Sequence, residues 1–280
     1  MFLTLCFLIT TLLDIIFSRY VLKGRELRPS SPSFLIYGVI RMYVPFTSVV
    51  ITLMYFSGTN SVISFLKSWF RIDYSIIKYC LIAPLYTYVA IGAYIVIIKY
   101  LGILDLSKLV KDRRPTSVIK SLVTTLALAY VASLTANALA AIGEEVGWRA
   151  YLLPNLMGQV GLFGAIVVSG LIWGAWHIPL VLSIKVKHPL YDPKLSTVGY
   201  LVSSIYLSSI ASLLTLVTHS VLPTSVFHGS LNAVSGLGNA VTKIRDGRRY
   251  EDLIKVSLAS LISWCFSTVL TTYLITTLLT

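Results

Sequence analysis

About 20 consecutive apolar residues suffice to carry a helix across roughly 30 Å of hydrocarbon, and this chain repeats such stretches almost from end to end. They fall near residues 1–18, 34–57, 75–103, 118–142, 160–183, 198–218, 221–242 and 254–279. The expected fold is an all-α integral membrane protein, a bundle of about eight transmembrane helices with a polar site inside it. A single domain over residues 1–280 is expected. Composition agrees, since 56% of the 280 residues are hydrophobic and only 12% are charged, far from the soluble norm.

The first run has no basic residues ahead of its apolar stretch and no small-residue cleavage pattern, and Asp14 lies inside it. These features predict a retained helix and not a signal peptide. Arg41, Lys78 and Lys99 stand near the ends of the second and third runs, where long basic side chains are expected to snorkel outward. Cys6, Cys80 and Cys265 are odd in number, far apart and inside spans, which predicts neither a disulfide framework nor a metal site. No internal repeat or CAAX-type tail is present, so the chain does not read as a lipidation substrate.

A net charge of +12 raises nucleic acid as a partner, but the basic residues are confined to short loops between spans. That distribution is the positive-inside signal of a multispanning protein, with anionic lipid head groups as natural contacts. No nucleic-acid-binding fold or aromatic interleaving accompanies it, so nucleic acid is not expected as a partner.

Three polar constellations interrupt the apolar runs. The first, AIGEEVGWRAYLLP, carries Glu144, Glu145 and Arg149. On a continuous helix Glu145 and Arg149 share a face in the favourable order for an ion pair, and Glu144 is turned about 100° away. Packing in hydrocarbon does not ask for paired carboxylates, although a helix end touching head groups would tolerate them. In the second, SGLIWGAWHIPL, Trp173 precedes His177 by one turn, so the indole can lie against the imidazole. Gly170 and Gly174 there form a G-x-x-x-G that admits a close neighbouring helix. The third, PTSVFHGSLNAVSGLGNA, sets His228 and Asn232 on one helical face beside a ridge of small residues at Gly229, Ala233, Gly236 and Ala240. Polar contacts between helices would explain the second or third motif taken alone. His188 and His219 have no such partners and are expected at the surface.

Together the motifs supply what water-driven peptide cleavage needs: a group to take a proton from water and donors for the oxyanion. They also resemble the type II CAAX prenyl endopeptidases and their prokaryotic relatives, the CAAX protease and bacteriocin-processing enzyme family, whose signature is E-E-x-x-x-R, F-x-x-x-H and H-x-x-x-N. Here these read E-E-V-G-W-R at 144–149, W-G-A-W-H at 173–177 and H-G-S-L-N at 228–232. Trp173 replaces the usual phenylalanine, and Ala150 stands where a glycine often follows the arginine. Both substitutions are expected to alter volume beside the site without altering its chemistry.

The resemblance implies a glutamate-dependent intramembrane endopeptidase without a cofactor or metal, acting on a peptide or protein that is membrane-associated or prenylated. It gives Glu144 and His177 the activation of water, His228 and Asn232 the stabilisation of the oxyanion, and Glu145 and Arg149 a supporting role, with Trp173 beside the site. Read from the residues, a zinc protease using His177, His228 and a glutamate is an alternative, but no H-E-x-x-H helix supports it. A proton-relay transporter is another, without visible inverted repeats, and an inactive membrane partner or immunity protein is a third. The residues do not name the substrate or the oligomeric state.

Loop charge gives an orientation in the cell membrane. With eight spans, the loops after spans one, three, five and seven, with their flanking helix ends, hold 19 of the 23 Lys and Arg, leaving Lys67, Arg71, Lys78 and Arg149. Those loops are then cytoplasmic and both termini extracytoplasmic. A straight fourth span from residue 118 would reach Glu144 about 39 Å away, so the site is expected to open nearer the extracytoplasmic face.

Overall fold

The computed structural model describes residues 1–23, 31–107, 109, 115–183 and 192–278. Helix α1 (Phe2–Ile16) runs on through a wider π turn (Phe17–Leu22), and α2 (Pro32–Met42), α3 (Val44–Ser57), α4 (Thr59–Trp69) and α5 (Tyr74–Tyr100) follow. Next come α6 (Pro115–Leu134), α7 (Ala136–Glu145), a π segment (Val146–Leu152), α8 (Leu153–Ser183), α9 (Pro193–Thr218), α10 (Leu222–Ala240) and α11 (Arg249–Leu278). Local chemistry sets several starts. Asp73 accepts from the Ile76 N–H at 2.9 Å, and Asp192 accepts from Lys194 and Leu195 at 3.0 Å ahead of α9. Such caps satisfy backbone donors that a helix start leaves free.

Among the described residues, seven helical stretches are long and apolar enough to cross a membrane, and the chain is a multi-pass membrane protein. The expectation was about eight, and α10 accounts for the difference. The span expected at 221–242 is α10, whose Thr224, Ser225, His228, Ser230, Asn232 and Ser235 lower its hydropathy. It can be this polar because it packs against α5, α6, α7 and α9, which shield it from lipid. The span expected at 118–142 is broken at Thr135 (φ −125°, ψ −108°), and residues 136–182 form one helical stretch broken at Gly161 (φ 71°, ψ 174°). Glu144 is therefore not the end of a straight helix from residue 118, and a rod-length estimate does not place it.

Two apolar clusters hold the bundle together, one on the C-terminal half of α8 and one on α10. One joins Phe2, Cys6, Val49, Trp148, Trp173 and Trp176; the other joins Ala138, Ile210, Leu214, Phe227 and Ile275. Phe56, Leu128, Phe163 and Val269 point outward instead, as lipid-facing residues do and as a water-exposed surface rarely would. The G-x-x-x-G of α8 packs as expected, since β-carbons at Gly170 and Gly174 would lie 2.9 and 3.0 Å from the Cα atoms of Ile205 and Leu201 in α9. The α10 ridge packs over only part of its length: Gly229 abuts α7 at Ala138, whereas a β-carbon at Gly236 would meet nothing within 4 Å.

Lys78 and Lys99 are exposed, as expected of snorkelling residues, and the three cysteines are free. Arg41 departs from expectation. It is 4% exposed and paired with Asp14, Nε to Oδ1 at 3.0 Å. Its position near the end of a run had suggested an outward reach, but α1 supplies the counter-ion inside the bundle. His219 is exposed, and His188 lies outside the described residues.

Candidate active site

Paired carboxylates inside a membrane protein need partners, and here the polypeptide delivers them by close backbone approach. Gly143 and Gly147 bracket Glu144 and Glu145, and both lie against the junction of α2 and α3. A β-carbon at Gly143 would be 2.7 Å from the Tyr43 Cα, and one at Gly147 would strike Pro45. Immediately after Glu145 the helix widens into the π segment, a local feature frequent at functional sites.

Glu144, Glu145 and Arg149 are all buried. The expected pairing of Glu145 with Arg149 is present despite the widened turn: Arg149 Nε lies 3.3 Å from Glu145 Oε2, and Nη1 donates to Oε1 at 3.4 Å. Glu145 Oε1 also accepts from His228 Nδ1 at 2.6 Å, so one carboxylate ties the π segment to α10. Glu144 faces elsewhere, accepting from Trp173 Nε1 at 2.7 Å. That bond corrects the expectation that tryptophan at 173 changes only volume, because phenylalanine has no N–H to donate.

Trp173 is the hub. Besides its bond to Glu144, its ring centroid lies 5.8 Å from that of His177 and 5.4 Å from that of His228, both edge-on, and the Arg149 guanidinium carbon is 4.3 Å from it. The expected contact between indole and imidazole is thus present, and it extends to the second histidine. His177 Nδ1 lies 2.9 Å from the Trp173 carbonyl. A carbonyl only accepts, so Nδ1 carries the proton and a neutral ring keeps its lone pair on Nε2.

Trp173, His177, His228 and Asn232 line one cavity of about 490 Å³, and Asn232 is exposed to it on α10. An adjoining cavity of about 400 Å³ is walled by Ile91, Tyr94, Val234 and Trp264, and the two share Tyr200, Leu207, Leu231, Ser235 and Ser260. The first is polar around the imidazoles and serines, the second more apolar.

Two contributions were missed in the sequence. Tyr200 stacks on His177 with centroids 5.1 Å apart and planes 14° from parallel; a tyrosine in a run of mixed residues gives no signal of this. Gly143 and Gly147 form a second small-residue spacing that overlaps the glutamates and could have been read. Among the described residues, no three His, Cys, Asp or Glu are grouped closely enough to hold a metal.

The fold and site define a class: a membrane-embedded helical bundle with buried carboxylates bonded to an indole and an imidazole that, with a second imidazole and an amide, line an open cavity. A family model described as Type II CAAX prenyl endopeptidase Rce1-like matches residues 120–234, the stretch that holds all three motifs. CAAX prenyl protease 2 of Methanococcus maripaludis is 44% identical to this chain over 43 residues, which are 15% of this chain and 16% of that relative.

Proposed function

We propose that this protein is an intramembrane endopeptidase in which Glu144 and His177 activate a water for attack on a peptide carbonyl. The observation that carries the reading is the Trp173 hub, which gathers Glu144, His177 and His228 around one indole at the edge of a cavity. The family match over residues 120–234 supports the reaction class.

In this mechanism Glu144 takes a proton from water while the Nε2 lone pair of His177 orients it, and the water oxygen attacks the carbonyl carbon. The oxyanion is met by Asn232 Nδ2 and by Nε2 of His228. Donation from His228 Nε2 requires an imidazolium, because Nδ1 is engaged with Glu145 Oε1, and the Glu145 carboxylate balances that charge. Collapse of the tetrahedral intermediate breaks the C–N bond, and the proton held on Glu144 passes to the leaving amine. Glu145 and Arg149 hold the histidine and the helix in register.

The substrate is a membrane-associated peptide carrying an apolar group, with a prenylated C-terminal tail as the specific case. The apolar chamber beside the polar one supports this reading, with Tyr200 and Leu231 as their common wall. The site opens nearer the extracytoplasmic face of the cell membrane; with the polar helix α10 as an eighth crossing beside the seven apolar stretches, both termini lie on that side. His228 lies in the first half of α10, whose start is bonded to the Trp69–Arg71 segment, while at its other end Asp105 bonds to Val241 at 2.8 Å and Lys243 to Ile103 at 2.9 Å, next to the basic loops of the sequence. The test is cleavage by purified protein of a farnesylated peptide ending in a CAAX box and of its unprenylated counterpart. Cleavage of the farnesylated peptide is expected; cleavage of neither contradicts the reading.

A further inference from the structure

Outside the matched stretch in sequence, Thr10, Asp14, Tyr37 and Arg41 form a second buried polar cluster that holds the back of the same site. Asp14 on α1 accepts from Tyr37 at 2.5 Å and from Arg41 Nε at 3.0 Å. The Arg41 Nη2 atom lies 3.5 Å from Asp14 Oδ2 and donates to the Trp176 carbonyl at 2.8 Å. The guanidinium also covers the Trp176 ring at 3.7 Å, and the indole N–H of Trp176 donates to Thr10 at 2.8 Å. Residue 176 is thus gripped at both backbone and ring by α1 and α2, and the next residue is His177.

That grip falls where α8 is least able to hold itself. Pro179 lies inside the helix, so the Ala175 carbonyl loses its N–H partner, and a proline ring at this position tends to bend the helix. The neighbouring carbonyl, that of Trp176, is the one Arg41 binds. The Trp176 ring stands edge-on to the His177 ring at 5.0 Å, so a shift of residue 176 moves the imidazole. A buried ion pair is an inefficient source of stability, since apolar residues of the same size often replace one without loss. What it supplies here is a fixed orientation.

We propose that Arg41, held by Asp14, is a positioning residue for His177, setting the rotation of α8 at the site through the Trp176 carbonyl and ring. The inference rests on the proposed role of His177. Its test compares Arg41→Lys, which keeps a cation opposite Asp14 but lacks the planar fork, with the charge-free pair Asp14→Leu/Arg41→Met, using the peptide that the wild type cleaves. Both variants are expected to fold and to keep KM, while kcat falls about 10- to 100-fold, the scale of a misplaced catalytic group. Wild-type kcat in Arg41→Lys overturns the proposal, even if the double variant does not accumulate. So does a loss of activity that only follows a loss of thermal stability. His177→Ala is run beside them: if it stays active, the proposed mechanism fails, whereas an inactive His177→Ala with a fully active Arg41→Lys removes the positioning role alone.

Discussion

Glu145→Ala separates the two adjacent glutamates by what each leaves behind. Arg149, 1% exposed, would lose its ion-pair partner at 3.3 Å, and His228 Nδ1 would lose its acceptor at 2.6 Å. Removing one partner of a buried ion pair costs about 3–5 kcal/mol. At roughly 2–4 °C per kcal/mol for a large domain, Tm should fall by roughly 10 °C. The double variant Glu145→Met/Arg149→Met removes both charges and leaves volume behind, so it should regain most of that loss. It should still be inactive, because His228 Nδ1 then loses the carboxylate that orients and charges the ring. Thermal melts in detergent, followed by intrinsic fluorescence beside peptide cleavage, read both quantities. An unchanged Tm in Glu145→Ala, or a double variant no more stable than the single, would refute the assignment of Glu145 to support.

Asn232→Ala should fold normally and keep a residue of activity, because loss of one oxyanion donor typically costs about 10²- to 10³-fold in kcat; wild-type turnover would remove it from the mechanism. Dialysis against a strong chelator should leave cleavage intact, and elemental analysis showing one zinc per chain, with activity restored by added zinc, would turn the same histidines into ligands. For orientation, Asn155→Cys and Arg248→Cys are placed singly in a background lacking Cys6, Cys80 and Cys265 and probed on intact cells with a membrane-impermeant thiol reagent. Labelling at 155 and not at 248 is expected, and the reverse would place the site on the cytosolic side.

Helical spacing made part of the site legible before any coordinates. The i,i+4 relations of Glu145 with Arg149 and of Trp173 with His177 are local, and the first survives even the π turn after Glu145. The bonds between helices were not legible: Trp173 to Glu144 and His228 to Glu145 join residues 29 and 83 apart, and no spacing rule reaches that far. Arg41 was misread because a basic residue near the end of an apolar run looks the same whether it faces head groups or a buried Asp14. The break at Thr135 carries no glycine or proline to announce it, so the fourth run read as one helix. The span at 221–242 was found as an element, but its central burial was what allowed its polarity, and burial is a property of the neighbours.

Whether the Glu144 carboxylate is the base for peptide hydrolysis, as proposed, is decided by Glu144→Gln. The substitution keeps an oxygen acceptor for the Trp173 N–H at nearly the same volume and removes only the ability to take the proton. Purified wild type and Glu144→Gln, matched in Tm, are incubated with the farnesylated peptide, and the two product fragments are quantified by mass spectrometry. Fragments are expected from the wild type, with a loss of turnover of about 10²-fold or more in the variant. Wild-type turnover by a folded Glu144→Gln would contradict the proposed role.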